Sequence, residues 1–425
     1  LPSTEPSAFK RTIILAAGKG TRFKSDTPKV LHELWGRPVI DHVIDVAEAI
    51  GSLRIYVVVG HKAEDVAEAV RDRASVIVQK EQLGTAHAVR CCAAQFRGYS
   101  GYVVVMCGDT PLLDRRIVRG LVARHKKSGA ACTFLTARIA NPHGYGRVIR
   151  NAQGDILAIR EEKDASPDER KIAEINVGIY CFDSALLFRT VVDIRRNVKK
   201  REFYLTDIIA LLLAHGERVG TFVTDDWTAN LGINTRADLA LAGAVSREKI
   251  LKALMADGVS IVDPATTYIE PGVKIGRDTV IFPCTYIHHG VKIGKHCSVG
   301  PFARIRPGTT LADGVSVGNF IEVSRSTLGP GAVAKHFSFL GDTEVGAGSN
   351  IGCGTVTANY DGKNKNKTTI GKRAFIGCDT VLVAPVKIGN GAKTGAGSVV
   401  ARRRDVPAGM LAVGIPARVI KRVDK

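Results

Sequence analysis

Close to the start of the chain, the block Leu15–Leu31 reads LAAGKGTRFKSDTPKVL and gathers Gly18, Gly20, Arg22 and Lys29. A glycine-rich turn lets backbone N–H groups approach phosphate oxygens. Two cations beside it would stabilise the charge that builds on a pyrophosphate leaving group when an α-phosphorus is attacked. A glycine turn by itself is more often a plain loop; strand, Gly-x-Gly-x-Arg and Pro-Lys arriving together point to phosphate chemistry. A second block, VVVMCGDTPLL, sets Asp109 just behind an apolar run. A carboxylate there suits Mg2+, a hard cation that takes oxygen ligands and keeps several waters. Asp-Thr-Pro also reads as a helix start with Asp109 as its cap, and both readings stand at this point. In the second half, VAKHFSFLGD presents His336. An imidazole titrates near neutrality and is a natural general base, although a single histidine is more often structural.

The elements that must position these groups can be read from the apolar pattern. TIILAAG (residues 12–18), IYVVVG (55–60) and YVVVMCG (102–108) are apolar runs ending in glycine, the mark of buried parallel strands. Helical stretches lie between them, at Val39–Ile50 and Ala63–Arg71. Alternating strands and helices predict a Rossmann-like α/β domain over residues 1–235, with its ligand in the crevice at the carboxyl ends of the strands. Gly18, Gly60 and Gly108 fall at those ends. The segment Arg236–Ala256 has helical periodicity and predicts a connecting helix within residues 236–258.

Behind it the period changes. Ile275, Ile281, Ile287, Ile293, Val299, Ile305, Leu311, Val317 and Val323 recur every sixth residue. After a slip the register resumes at Val345 and Ile351. After the polar insert TANYDGKNKNKTT it returns at Ile370, Ile376, Leu382 and Ile388. No helix or ordinary amphipathic strand has a period of six. A parallel β-helix does, with one inward aliphatic per face and three faces per coil. This predicts a hexapeptide-repeat β-helix over residues 259–425.

Composition narrows the partners. The formal net charge is +19, which attracts anions. The basic residues are dispersed and accompany no zinc-finger spacing or aromatic RNA-binding motif, so phosphorylated small molecules are expected rather than nucleic acid. Nine cysteines, an odd number without a C-x-x-C pair, suit a reduced cytoplasmic protein. The opening LPSTEPSAFKR lacks the apolar core of a secretory signal. No apolar run approaches the ~18–20 residues of a membrane span.

The first block closely resembles the sugar nucleotidyltransferase signature L-A-A-G-x-G-x-R…P-K. Over nearly its whole length the chain resembles the bifunctional GlmU family, in which an N-acetylglucosamine-1-phosphate uridyltransferase is joined to a glucosamine-1-phosphate N-acetyltransferase. The resemblance implies that the backbone of Leu15, Ala16, Ala17 and Gly18 contacts the uridine nucleotide and that Arg22 and Lys29 bind its phosphates. In QKEQLGTAHAV it implies that Gln79 reads the uracil edge while Gly84 and Thr85 pack against the base; on its own, Gln79 would read as a surface amide. Gly108, Gly146 in NPHGYGRVIR, Glu161 in IREEKDA and Asn176 in EINVGIY become substrate-binding residues, and EFYLTD (residues 202–207) also fits. Asn234, in GINTR where the family has G-V-N-N-R, would share Mg2+ with Asp109.

For the second half the resemblance implies left-handed coils, a homotrimer, and acetyl transfer from acetyl-CoA with His336 as base. Arg306 in RIRPG would bind the sugar phosphate; Asn350, Asn359, Tyr360, Cys378 and Ala396 would border the acceptor and acetyl-CoA. UTP, N-acetylglucosamine-1-phosphate, glucosamine-1-phosphate and acetyl-CoA are the implied substrates, and no membrane or nucleic acid is implied. The chain departs from the family at several positions. Ala86 replaces a Gly, Ser324 a phosphate-binding Lys, Phe339 a sugar-contacting Tyr, and Cys353 and Cys378 an Ala and a Ser. The tail GIPARVIKR resembles other hexapeptide acyltransferases, and the β-helix reads as roughly two coils short at about 18 residues per coil. Arg325 could replace the missing Lys, but neighbours on a strand point to opposite faces. Two alternatives therefore stand beside the bifunctional reading. One is a nucleotidyltransferase whose β-helix serves only for trimerisation or an altered acyl transfer. The other is a non-enzymatic assembly subunit of the kind found in translation initiation factor complexes.

Overall fold

The computed structural model describes residues 10–198 and 201–422, which divide into two compact units, Leu1–Ala244 and Val245–Lys425. The opening segment, through Phe9, lies outside the described residues.

In the first unit the expected strands form as β1 (Lys10–Ala16), β2 (Arg54–Val59) and, after β3 (Ser75–Val78), β4 (Tyr102–Cys107). They are followed by β5 (Cys132–Arg138), β6 (Gly146–Arg150), β7 (Ile156–Arg160), β8 (Glu174–Asp183) and β9 (Val219–Thr224). The main sheet runs β9-β5-β8-β4-β1-β2-β3, with β6 and β7 hung from β8. Val57–Val59 and Val103–Met106 are wholly buried, because both faces of the sheet are covered; hence their unbroken apolar runs. The pairings among β1, β2, β3 and β4 are parallel. β8 departs from the expected parallel pattern, running antiparallel to both β4 and β5. From β1 the chain steps outward to β2 and β3, then returns to β4 on the other side of β1. That reversal opens a crevice between the carboxyl ends of β1 and β4, where Leu15 pairs with Cys107 and Gly108 N–H donates to Leu15 O at 2.9 Å.

Helix α1 (Arg236–Ala256) carries the boundary between the units. In the second unit, short strands stack into three sheets of ten, eight and seven strands, parallel except for the last strand of the first, and these are the three faces of a β-helix. The first face runs from Ser260–Ile261, the second from Tyr268–Ile269 and the third from Lys274–Ile275. The predicted inward aliphatics form one core: Ile281, Ile287, Val299, Ile305, Val317, Val323 and Ile376 are wholly buried. Each contributes about 1.5–3 kcal/mol relative to exposure. The coils approach so closely that a Cβ at Gly352 would lie 2.6 Å from Cys378 N, which accounts for glycines that no turn requires.

The slip in the period has a structural cause. Arg304 pairs with Glu322, but Thr310 pairs with Thr327, so the corner between the second and third faces loses a residue at Arg325. The next coil repeats the loss at Asp342. Both residues take left-handed φ values, 48° and 51°, and the polar insert leaves from the same corner one coil later. At its far end the first face is closed by Met410–Gly414, parallel to its neighbour, and by Ala417–Arg422, which turns back antiparallel.

Candidate functional site

In the first unit, side chains distant in sequence meet at the mouth of the crevice. Lys29 Nζ donates to Asp109 Oδ2 at 2.5 Å and to Asn234 Oδ1 at 3.2 Å, and Arg22 donates to the same Asn234 oxygen at 3.0 Å. Lys29 and Asp109 are 14% and 21% exposed. Each has a local reason to be there. Gly20 takes φ 58°, and a Cβ on it would lie 3.0 Å from Lys29 Cβ, so the turn folds tightly against the lysine. Asp109 follows β4 directly and caps nothing. The helix behind it starts at Arg115 and is capped by Asp114, whose carboxylate accepts from Arg116 N–H, so the capping alternative for Asp109 is removed.

Asn234 is held by a device the sequence reading missed. Asp238 accepts from the N–H groups of Asn234 and Thr235 at 3.0 and 2.8 Å, while the Thr235 hydroxyl accepts from Asp238 N–H. This reciprocal box at the start of α1 was signalled by Thr-x-x-Asp. Beside Lys29 the turn is open: a side chain at Gly18 would meet no atom within 4 Å.

Gln79 is buried and its amide nitrogen Nε2 is engaged inside the protein, on Gly84 O at 3.1 Å and His87 Nδ1 at 3.0 Å. Gly84 has φ 102°, and a Cβ there would lie 2.6 Å from Phe203 O. Thr85 accepts from Leu205 N–H at 2.9 Å, and Ala86 N–H donates to Phe203 O at 2.9 Å. The 202–207 segment thus clamps the Gly84 turn through its backbone. Gly146 pairs with Asn176 across β6 and β8. The Asn176 amide donates to Tyr180 OH at 2.7 Å and accepts from Gly178 N–H at 3.1 Å, at a bulge in β8. Glu161 accepts from the Thr206 hydroxyl at 2.9 Å. Burial, aided by Asp207, Asp164 and Glu202, holds its carboxyl above the ordinary value against that hydrogen bond.

In the second unit the register lines up one corner. Asn319 pairs with His336, and Ala334 with Ile351 and Ile351 with Ile376, which puts Cys353 and then Cys378 in the same column. Gly397 N–H donates to Cys378 O at 2.8 Å, placing Ala396 next. His336 Nδ1 lies 2.7 Å from Asn319 Oδ1; since that oxygen only accepts, Nδ1 is the donor of this bond. Arg306 donates to Glu322 Oε1 at 2.7 Å. Asn350 lies on the first face, and Tyr360 is exposed on the insert, with its hydroxyl on Gly362 O at 2.6 Å.

At the opposite corner, the expectation that Arg325 would point away from Ser324 is corrected. The strand ends at Ser324, and the left-handed turn at Arg325 swings its guanidinium back: NH1 donates to Ser324 Oγ at 2.9 Å. Nε and NH2 clamp Asp342 at 2.7 and 2.9 Å. Asp342 Oδ2 also accepts from the Asn359 amide at 2.5 Å. The guanidinium holds the Asp342 carboxyl below its ordinary value.

Comparison with known proteins places both halves. The MobA-like NTP transferase domain family matches residues 12–170, and the bacterial transferase hexapeptide family (six repeats) matches residues 272–307 and 367–402. A bifunctional protein GlmU of Pelobacter propionicus is 44% identical over 437 residues, covering 94% of this chain and 95% of that one. Proteins of the same name from Shouchella clausii and Pelotomaculum thermopropionicum are 40% and 45% identical, over 96% and 88% of this chain and 97% and 89% of theirs.

Proposed function

The chain belongs to the bifunctional GlmU family, and from that premise we propose that it makes UDP-N-acetylglucosamine with two transferase sites, one on each unit. The second unit, a left-handed β-helix, transfers acetyl from acetyl-CoA to the amine of glucosamine-1-phosphate. The first transfers uridylyl from UTP to N-acetylglucosamine-1-phosphate and releases pyrophosphate. The observation that carries this reading is the convergence of Arg22, Lys29, Asp109 and Asn234 at the crevice mouth.

Uridylyl transfer proceeds by in-line displacement. The sugar phosphate is already an anionic nucleophile, so no covalent enzyme intermediate is needed. The open Leu15–Gly18 turn offers backbone N–H groups to the triphosphate, and Arg22 and Lys29 balance the charge that moves onto pyrophosphate. Asp109 Oδ2 and Asn234 Oδ1 already share one cation, the Lys29 ammonium. These hard oxygens suit Mg2+, which when bound would neutralise phosphate charge and orient the substrates. Gly84 and Thr85 support the base beside Gln79. Gly108, Gly146, Glu161 and Asn176 line the nucleotide and sugar side.

For acetyl transfer, His336 Nε2 takes the ammonium proton while Asn319 fixes the ring. Arg306 meets the sugar phosphate. Asn350, Asn359 and Tyr360 border the acceptor, and Cys378 and Ala396 border acetyl-CoA. A cytoplasmic location belongs to the same reading, supported by nine cysteines, an odd number without a C-x-x-C pair. Among the described residues, no helix is long and apolar enough to cross a membrane. A homotrimer is supported by Phe302, Phe320 and Phe337, stacked about 5.0 Å apart along the coils and half exposed, a surface that suits burial between copies.

One preparation tests both activities: pyrophosphate release with UTP, Mg2+ and N-acetylglucosamine-1-phosphate, and thiol release with acetyl-CoA and glucosamine-1-phosphate. Absence of the first with every nucleotide overturns the uridyltransferase; absence of the second overturns the acetyltransferase.

A further inference from the structure

The period of six fails at two corners in succession, and the failures coincide with a polar ladder. Val323 to Leu328 and Leu340 to Val345 are each one residue short. Arg325 and Asp342 occupy the two shortened corners, and Asn359 stands one coil further on, where the insert begins. The three are hydrogen-bonded in sequence along the coil axis.

Of the five guanidinium N–H groups, Asp342 takes two and Ser324 one, which leaves two donors. Arg325 is 37% exposed and Asp342 19%, so the carboxylate fixes the fork from the sheltered side while part of it stays open to solvent. Arg306 lies on the preceding coil, at the same end of the second face, where its N–H donates to Val323 O at 2.8 Å. Ser324, by contrast, is 1% exposed and lies beneath the guanidinium. It offers no charge of its own.

We propose that Arg325, oriented by Asp342 and covering Ser324, is the specificity-determining cation that binds the phosphomonoester of the acetyl acceptor alongside Arg306. The inference rests on the acetyltransferase reading. Arginines on successive coils at one end of a face, Arg306 held by Glu322 and Arg325 by Asp342, offer the planar paired donors that suit a phosphate dianion. Asp342 and Asn359 are positioning residues for that fork.

The experiment compares wild type, R325Q and R325K by thiol release from acetyl-CoA, with glucosamine-1-phosphate and with unphosphorylated glucosamine as acceptors. R325Q is expected to raise KM for glucosamine-1-phosphate at least tenfold. The KM for acetyl-CoA and the slow rate on glucosamine should hold, and R325K should recover part of the loss. An equal loss on both acceptors would make Arg325 a corner staple only, and an unchanged KM would remove it from the site; either overturns the inference while leaving the acetyltransferase in place. If R325Q weakens the coil stack on thermal melting, R325K, which keeps the charge and gives up the fork, still must raise KM for the phosphorylated acceptor alone. A silent wild type fails the acetyltransferase reading itself, and the inference falls with it.

Discussion

Replacing Asp109 with Ala separates a metal-and-phosphate site from a structural ion pair. In the wild type two cations converge on one amide oxygen of Asn234, and the Asp109 carboxylate, 2.5 Å from Lys29, is the anion that balances them. Breaking a fully buried pair costs about 3–5 kcal/mol and breaking an exposed one ~0–1 kcal/mol. With side chains 14% and 21% exposed, about 2 kcal/mol is reasonable here, or roughly 4–8 °C in Tm for a unit of this size. The catalytic cost is larger. Removing one preorganised electrostatic group typically lowers kcat by about 10²–10³, or about 3–4 kcal/mol at 1.36 kcal/mol per decade. D109A should therefore lose pyrophosphate release by at least two orders of magnitude, measured below its own melting temperature and at saturating Mg2+. Retention of activity within about tenfold, with an unchanged Mg2+ requirement and a lowered Tm, would show that Asp109 serves only as the counterion of Lys29.

Three other outcomes follow from the same structure. H336A should abolish thiol release and N319A reduce it about tenfold or more by freeing the imidazole tautomer, both with pyrophosphate release intact; an active H336A would remove the base. G84A forces a side chain into φ 102° and against Phe203 O, and should destabilise the first unit by about 2 kcal/mol or more in denaturant melts. Burial holds the Glu161 carboxyl high, so the folded unit binds more protons than the unfolded chain above the ordinary glutamate pKa. Its stability falls as pH climbs through the raised value. E161Q, which cannot ionise, should gain on wild type as pH rises from the ordinary glutamate range through the raised value, and a pH-independent difference would contradict that assignment.

The coils were legible because their signal is a count: one inward aliphatic for each face, whatever surrounds it. The crevice strands were legible because β2 and β4 are buried on both faces. The convergence at Asn234 could be read only through resemblance, since the four residues are brought together by the sheet's reversal, which no local pattern encodes. The capping box at Thr235 and Asp238 was visible as a motif and passed over. Arg325 was misjudged for a physical reason. Strand alternation governs side-chain direction only while φ stays extended, and the shortened corner at φ 48° lies beyond the strand's end. The slip in the period marked that spot, but a missing residue does not say which way a guanidinium will turn. β8, antiparallel to both its neighbours, reads EINVGIYCFD, and its short apolar stretch Ile179–Phe182 does not by itself give strand direction.

A stack of parallel strands has a last rung, and a last rung is an invitation to another molecule. The backward turn of Ala417–Arg422 against Met410–Gly414 answers it on the first face. Its reversed polarity, with a register shift between Leu411 and Ala412, gives an incoming coil no parallel template to extend. Deleting that hairpin should convert a protein of discrete size into one that grows end to end.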